Sequence, residues 1–125
     1  MARNYGIVPA VDVQSLTIAQ GAALSEAFDM RRYVGGQVYV PGTWTAANIG
    51  FHVCDTVDGT YTIALDKAGA PIQIGTVNTG RAGWYSIPTD LFPTGFVKLW
   101  SKNSTAATET DINQAGARAM KVMLK

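Results

Sequence analysis

The chain contains one histidine and one cysteine, and both lie in the same short stretch. His52 and Cys54 are two residues apart, so in a strand they would share one face, as a nucleophile and its base could. Such chemistry also needs an acidic residue that orients the base and a turn that binds the oxyanion, and the sequence supplies neither beside the pair. We interpret the two residues as filling the second face of a half-buried strand. We predict no catalytic residues and no enzymatic activity.

Aspartates close to this stretch could offer carboxylate oxygens to calcium. Asp55 and Asp58 follow Cys54 directly, and Asp66 lies beyond the next predicted strand. Their spacing does not match an EF-hand loop, and Asp58 with Gly59 forms a dipeptide that is common in hairpin turns. We therefore predict a turn, with no metal ion and no cofactor. Calcium binding at the Asp55/Asp58 turn stays open.

Aromatic residues could form a stacking platform for a sugar ring. The candidates are Trp44, Trp84, Trp100, Tyr33, Tyr39, Tyr61 and Tyr85. In a small β domain such residues more often belong to the core or to a subunit interface, which is the interpretation we prefer. Sugar binding is kept as the alternative.

Composition restricts the classes of partner. Hydrophobic residues make up 47% of the 125 residues and charged residues only 15%, so the surface must be unusually neutral, which favours association with other proteins. A net charge of +1 argues against nucleic acid, and the glycines at 35–36 and 80–83 do not form a phosphate loop. The sequence also lacks an apolar run long enough for a signal peptide or a membrane helix. We therefore expect synthesis in a cytoplasm and no membrane partner.

Short apolar stretches separated by Gly, Pro and Asp-Gly turns predict β-strands throughout. In residues 49–54, Ile49, Phe51 and Val53 alternate with smaller or more polar residues, and an Asp-Gly turn joins this strand to residues 61–66. Residues 22–27 are too short for a persuasive helix, and 105–117 reads better as a loop. Further strands are predicted at 13–19, 27–30, 37–40, 72–75, 83–87, 96–101 and 117–124.

About eight or nine short strands indicate an all-β fold. We predict a single-domain antiparallel β-sandwich of jelly-roll type over residues 13–125, preceded by an extended N-terminal arm at 1–12. The arm contains Arg3 and Tyr5 and suits contact with a neighbouring subunit. Deletion of residues 2–10 should then abolish binding to the larger assembly and leave the domain folded.

Several short motifs resemble those of small virion proteins of tailed phages and prophages. They occur at residues 40–53 (VPGTWTAANIGFHV), 58–61 (DGTY) and 65–69 (LDKAG), with further pieces at 18–25, 98–101 and 113–118. The resemblance depends on the order and combination of the motifs, and residues 70–75 depart from the pattern. It implies a small β-sandwich on a phage particle, either cementing the capsid or accompanying tail parts. It carries over no catalytic residues.

Together these observations predict a virion structural protein, in first place a capsid decoration or cement protein. Its partners would be the major capsid protein and further copies of itself, with a homotrimer preferred. The residues chosen for the interface, because aromatic residues and Arg dominate contact energies, are Arg3, Tyr5, Arg31, Arg32, Tyr33 and Trp84. The alternative is a module that binds carbohydrate or the host surface from the phage head or tail.

Overall fold

A computed structural model describes residues 11–104 and 109–125 of the protein, and these residues contain nine β-strands. The strands are β1 (Asp12–Ile18), β2 (Phe28–Asp29), β3 (Gly36–Val40), β4 (Asn48–Cys54), β5 (Thr62–Ile63), β6 (Gln73–Ile74), β7 (Gly83–Ser86), β8 (Phe96–Lys102) and β9 (Arg118–Leu124). A single turn of 3-10 helix at Thr89–Leu91 precedes β8. Most of the predicted N-terminal arm lies outside the described residues, and Asp12 already belongs to β1.

The strands pair as one long hairpin whose two arms run side by side. β1 pairs with β9, β2 with β8, β3 with β7 and β4 with β5, and every pair is antiparallel. The hairpin is wrapped so that β9 also pairs with β3, and β8 also pairs with β4. This wrapping produces two sheets, one of order β1-β9-β3-β7 and one of order β2-β8-β4-β5 with β6 beside β4. The predicted all-β sandwich of jelly-roll type is thereby confirmed.

The two sheets enclose one apolar core, because alternate residues of each strand point inward. Ile49 and Phe51 of β4 are fully buried, as their alternation predicts. Opposite them, β9 contributes Met120, Val122 and Leu124, which are likewise fully buried. Leu16, Ile18, Val38, Val40, Val97 and Leu99 complete the centre of the core.

Gln114 holds the long segment between β8 and β9 in place. Its buried side chain donates to the backbone oxygen of Thr45 and to Ser101 Oγ, at 3.2 and 2.9 Å. Its Oε1 accepts from the Thr45 backbone N–H at 2.8 Å and from Arg118 Nε at 3.0 Å. Since every polar atom of this amide is bonded, the segment that carries Asp111 is fixed against the five-stranded sheet.

Candidate interaction surface

The outward side of the five-stranded sheet is covered by the chain itself. We call this side the closed face; it comprises Asn48, Gly50, His52, Gln73, Trp100 and Lys102. The Trp100 ring lies over Gly50, where even a Cβ atom would stand 2.7 Å from Trp100 Cε3. The Trp100 Nε1 donates to the Asp111 carboxylate at 2.7 Å, and the side chain is only 2% exposed. The closed face therefore offers no free aromatic surface at Trp100.

Lys102 is fully buried at the end of the same face. Its Nζ donates to Gln73 Oε1 at 2.7 Å and to the backbone oxygen of Asn103 at 2.8 Å. Burial lowers the pKa of Lys102, and the Glu109 carboxylate partly opposes that effect. Asn48 Nδ2 shares the Gln73 acceptor at 3.2 Å, so this polar group is satisfied internally.

His52 and Cys54 point to the outward side of β4, as the alternation predicts. The His52 ring meets Trp100 edge to face with centroids 4.6 Å apart, and its Nε2 is buried without a hydrogen bond in the described structure. Burial lowers the pKa of His52, with Asp111 raising it and Lys98 lowering it further. The Asp111 carboxylate is bonded to Trp100 and the Cys54 thiol lies 3.7 Å from Asp55, so no hydrogen bond connects them into a catalytic relay.

The aspartates considered for calcium are dispersed over two turns. Asp66 accepts the backbone N–H groups of Ala68 and Ala70 at 2.9 and 3.0 Å, which closes the turn between β5 and β6. Among the described residues, no three His, Cys, Asp or Glu side chains lie close enough to hold a metal ion.

The outward side of the four-stranded sheet is uncovered, and we call it the open face. Strand register places Ser15, Lys121, Tyr39 and Trp84 in one row across the four strands, and Val13, Met123, Gln37 and Ser86 in the next. Trp84 is 41% exposed, and its ring stands 5.4 Å from Tyr39 at an angle of 57°. Lys121 Nζ lies 5.7 Å from the Tyr39 ring centre on the other side. Aromatic rings and aliphatic side chains thus lie free on one sheet surface.

The charged side chains that point outward from the open face are lysines. Lys121 points outward from β9, and Lys125 continues that alternation because its backbone N–H and C=O pair with Gly35, each at 3.1 Å. None of the outward residues of the four described strands is Asp or Glu. Beside Lys125, a cleft of about 480 Å³ extends the open face towards Val11, Val34 and Gly36. The surface is therefore basic and partly apolar, although the whole chain is nearly neutral.

The residues predicted for the interface are not brought together. Arg3 and Tyr5 lie outside the described residues. Arg31 is bonded to Asp29 at 2.8 Å and lies over the Phe96 ring, and this contact lowers the pKa of Asp29 to about 2. Arg32 is exposed next to it.

Tyr33 donates its hydroxyl to Asp12 at the β1 edge of the open face. Trp84 lies on β7, three strands away, a distance of about 14 Å. Of the predicted set within the described chain, only Trp84 presents an aromatic ring on the open face. Lys121 was missed, although the alternation of Lys121, Met123 and Lys125 with the buried Met120, Val122 and Leu124 was readable in the sequence.

Comparisons with known proteins were made for the sequence and for the fold. The sequence matches no protein-family model and no curated protein. The crystal structure of SPBc2 prophage-derived protein YomS is similar, with a TM-score of 0.49 and 19% identity, and the match covers 94% of this chain and 96% of that chain. No helix in the described part of the chain is long and apolar enough to cross a membrane.

Proposed function

We propose that the protein is a structural component of a tailed-phage particle that works through contact. In the specific form we favour, it is a capsid decoration or cement protein on the outside of the shell, made in the host cytoplasm. Its partners are the major capsid protein and other copies of itself, with a homotrimer as the preferred state. The motifs at 40–53 and 58–61, which resemble those of small virion proteins, support this class of function.

The observation that carries the proposal is the exposed Trp84 beside Tyr39 on the open face. Trp, Tyr and Arg residues supply most of the energy at protein interfaces, and the large rigid side chains of Trp and Tyr lose little entropy on burial. The row of outward residues that contains Trp84 and Tyr39 crosses all four strands, so a partner can contact the full width of the open face. Repeated around a shell, many such contacts would add by avidity, so each one can be weak.

Particles that lack the protein provide the test. The gene is deleted from the phage or prophage that carries it, particles are purified, and recombinant protein is added before sedimentation. We expect wild-type protein to sediment with the particles in hundreds of copies, and Trp84→Ala to lose most of that binding. Leu65→Ala is the matched control, since Leu65 is 55% exposed on a different surface. Absence of wild-type binding would refute the proposal, and a dozen or fewer copies would refute a shell location.

A carbohydrate- or host-surface-binding module is the second candidate, and the same exposed Trp84 is the observation in its favour. Two features make it the weaker one. The 57° tilt prevents Trp84 and Tyr39 from stacking on one flat sugar ring, and the outward residues of the four described strands include no Asp or Glu to bind sugar hydroxyls. Trp44 and Trp100 are buried, so sugar stacking would change the fluorescence of Trp84 alone. Saturable quenching by a glycan, lost in Trp84→Ala, would favour this candidate.

A further inference from the structure

The turn between β4 and β5 forms a small acidic projection with an apolar tip. Val57 is 52% exposed at this tip, and Asp55 and Asp58 lie on either side of it. The turn is held in shape, because Gly59 N–H donates to the Thr56 oxygen at 3.3 Å and the Tyr61 hydroxyl donates to the Val57 oxygen at 2.9 Å. A turn with a fixed shape loses little entropy when a partner binds it.

Both aspartates of this turn are exposed and form no ion pair with any residue that the structure describes. Within residues 11–104 and 109–125 one ion pair forms, between Arg31 and Asp29, which leaves Asp55 and Asp58 outside it. The neighbouring cation, Lys98, lies over the Tyr61 ring at 4.5 Å. The turn therefore presents two carboxylates and one valine to an incoming surface.

The open face offers the complementary chemistry. Lys121 and Lys125 lie on the same side of β9 with Met123 between them, about 13 Å apart along the strand. Tyr39 and Trp84 supply apolar surface beside Lys121. The two lysine ammonium groups of one copy can thus pair with the two aspartate carboxylates of another copy, while Val57 packs against the apolar surface beside Lys121. Complementary charges of this kind select the partner and fix its orientation.

We infer that the acidic turn of one copy docks on the open face of the next copy. The inference rests on the proposed function, and it names the partner of the same surface. The turn joins strands of the five-stranded sheet, whereas the open face looks away from that sheet, so the two cannot meet within one chain. Because the contact uses two different surfaces, it is head-to-tail, and such contacts form a ring when the rotation between copies closes. A closed ring satisfies both surfaces of every copy, and the homotrimer of the proposed function is one such ring.

Charge reversal tests the contact in sedimentation velocity runs on the full chain. Wild-type protein should form a closed oligomer. Lys121→Glu with Lys125→Glu should raise the dissociation constant roughly 10- to 100-fold, and so should Asp55→Lys with Asp58→Lys. The variant that carries all four reversals should regain the oligomer, because the charges are again complementary. Lys67→Glu and Asp90→Lys, both exposed on other turns, are the matched controls and should leave the oligomer intact.

Circular dichroism establishes that each variant is folded, and the fourfold reversal supplies a gain of association that misfolding cannot imitate. A wild-type monomer at all concentrations, or a fourfold variant that stays dissociated, would overturn the inference. A particle-binding experiment distinguishes a failure of this inference from a failure of the proposed function. A monomer that still sediments with particles through Trp84 refutes the ring alone, whereas a charge-dependent ring that ignores particles refutes the virion role alone.

Discussion

Trp84 and Trp100 both lie on outward faces of the sandwich, one on each sheet, yet their surroundings differ. Trp100 is covered, bonded to Asp111 and packed over Gly50, whereas Trp84 is 41% exposed beside Tyr39. The closed face also buries Lys102, while the corresponding lysine of the open face, Lys121, is exposed beside the Tyr39 ring. The difference shows that this chain uses one sheet to complete its own fold and leaves the other available for a partner.

Replacement of Trp100 should have the largest effect. Trp100→Ala removes a buried indole and leaves the Asp111 carboxylate without its donor, so we expect a loss of about 3–5 kcal/mol in the free energy of unfolding. Urea denaturation followed by circular dichroism measures it. A loss below about 0.5 kcal/mol, the range of surface substitutions, would show that the closed face does not contribute to the fold in this way.

A methyl group at position 50 should have the next largest effect. In Gly50→Ala the added Cβ would lie 2.7 Å from Trp100 Cε3 and 2.8 Å from Lys102 Cδ, so the covering side chains must shift. Overpacking of this kind costs about 1–3 kcal/mol. Ala119→Val is the control on the open face, where the position is exposed and should accept the larger side chain. Equal melting temperatures for the two variants would contradict the difference between the faces.

Replacement of Trp84 should change stability little. Trp84→Ala loses the contact with Tyr39, for which we expect about 1 kcal/mol or less. The same variant should lose particle binding, so stability and binding respond separately on the open face. A loss of stability as large as that of Trp100→Ala would mean that Trp84 belongs to the core.

The smallest effect should be a pH dependence from the closed face. Burial lowers the pKa of His52 below its ordinary value of 6.5, so the unfolded chain binds a proton at a higher pH than the folded protein. Stability is therefore complete above about pH 6.5 and falls as the pH drops from there to the pKa of the folded state. Denaturation at several values between about pH 5 and pH 8 should show this slope, and His52→Gln should reduce it. An unchanged slope in His52→Gln would assign it to another group.

The fold was predictable where the signal is local. The alternation of Ile49, Phe51 and Val53, followed by an Asp-Gly turn, identifies β4 and its hairpin without reference to other strands. The pairing of β1 with β9 was not predictable, because it joins residues a hundred or more positions apart whose patterns fit several partners. The single turn of 3-10 helix at Thr89–Leu91 was also missed, being too short to leave a periodic pattern.

The interaction surface was predictable only in part. Trp84 was chosen for its residue type, which does not distinguish it from Trp100 until the covering segment with Asp111 is placed. Arg31 was chosen for the same reason, but its guanidinium group is bonded to Asp29, two residues earlier in the chain. Residue type thus indicates which side chains can bind a partner, while the tertiary fold decides which of them remain free to do so.

Labelling of lysines with an acylating reagent tests the central claim directly. The particle-bound or oligomeric protein and the monomeric Asp55→Lys/Asp58→Lys variant are labelled in parallel and compared by peptide mass spectrometry. Lys121 and Lys125 should lose reactivity on assembly, while Lys67, exposed on the turn between β5 and β6, should react equally in both. Full reactivity of Lys121 and Lys125 in the assembled protein would show that the open face is not the contact surface.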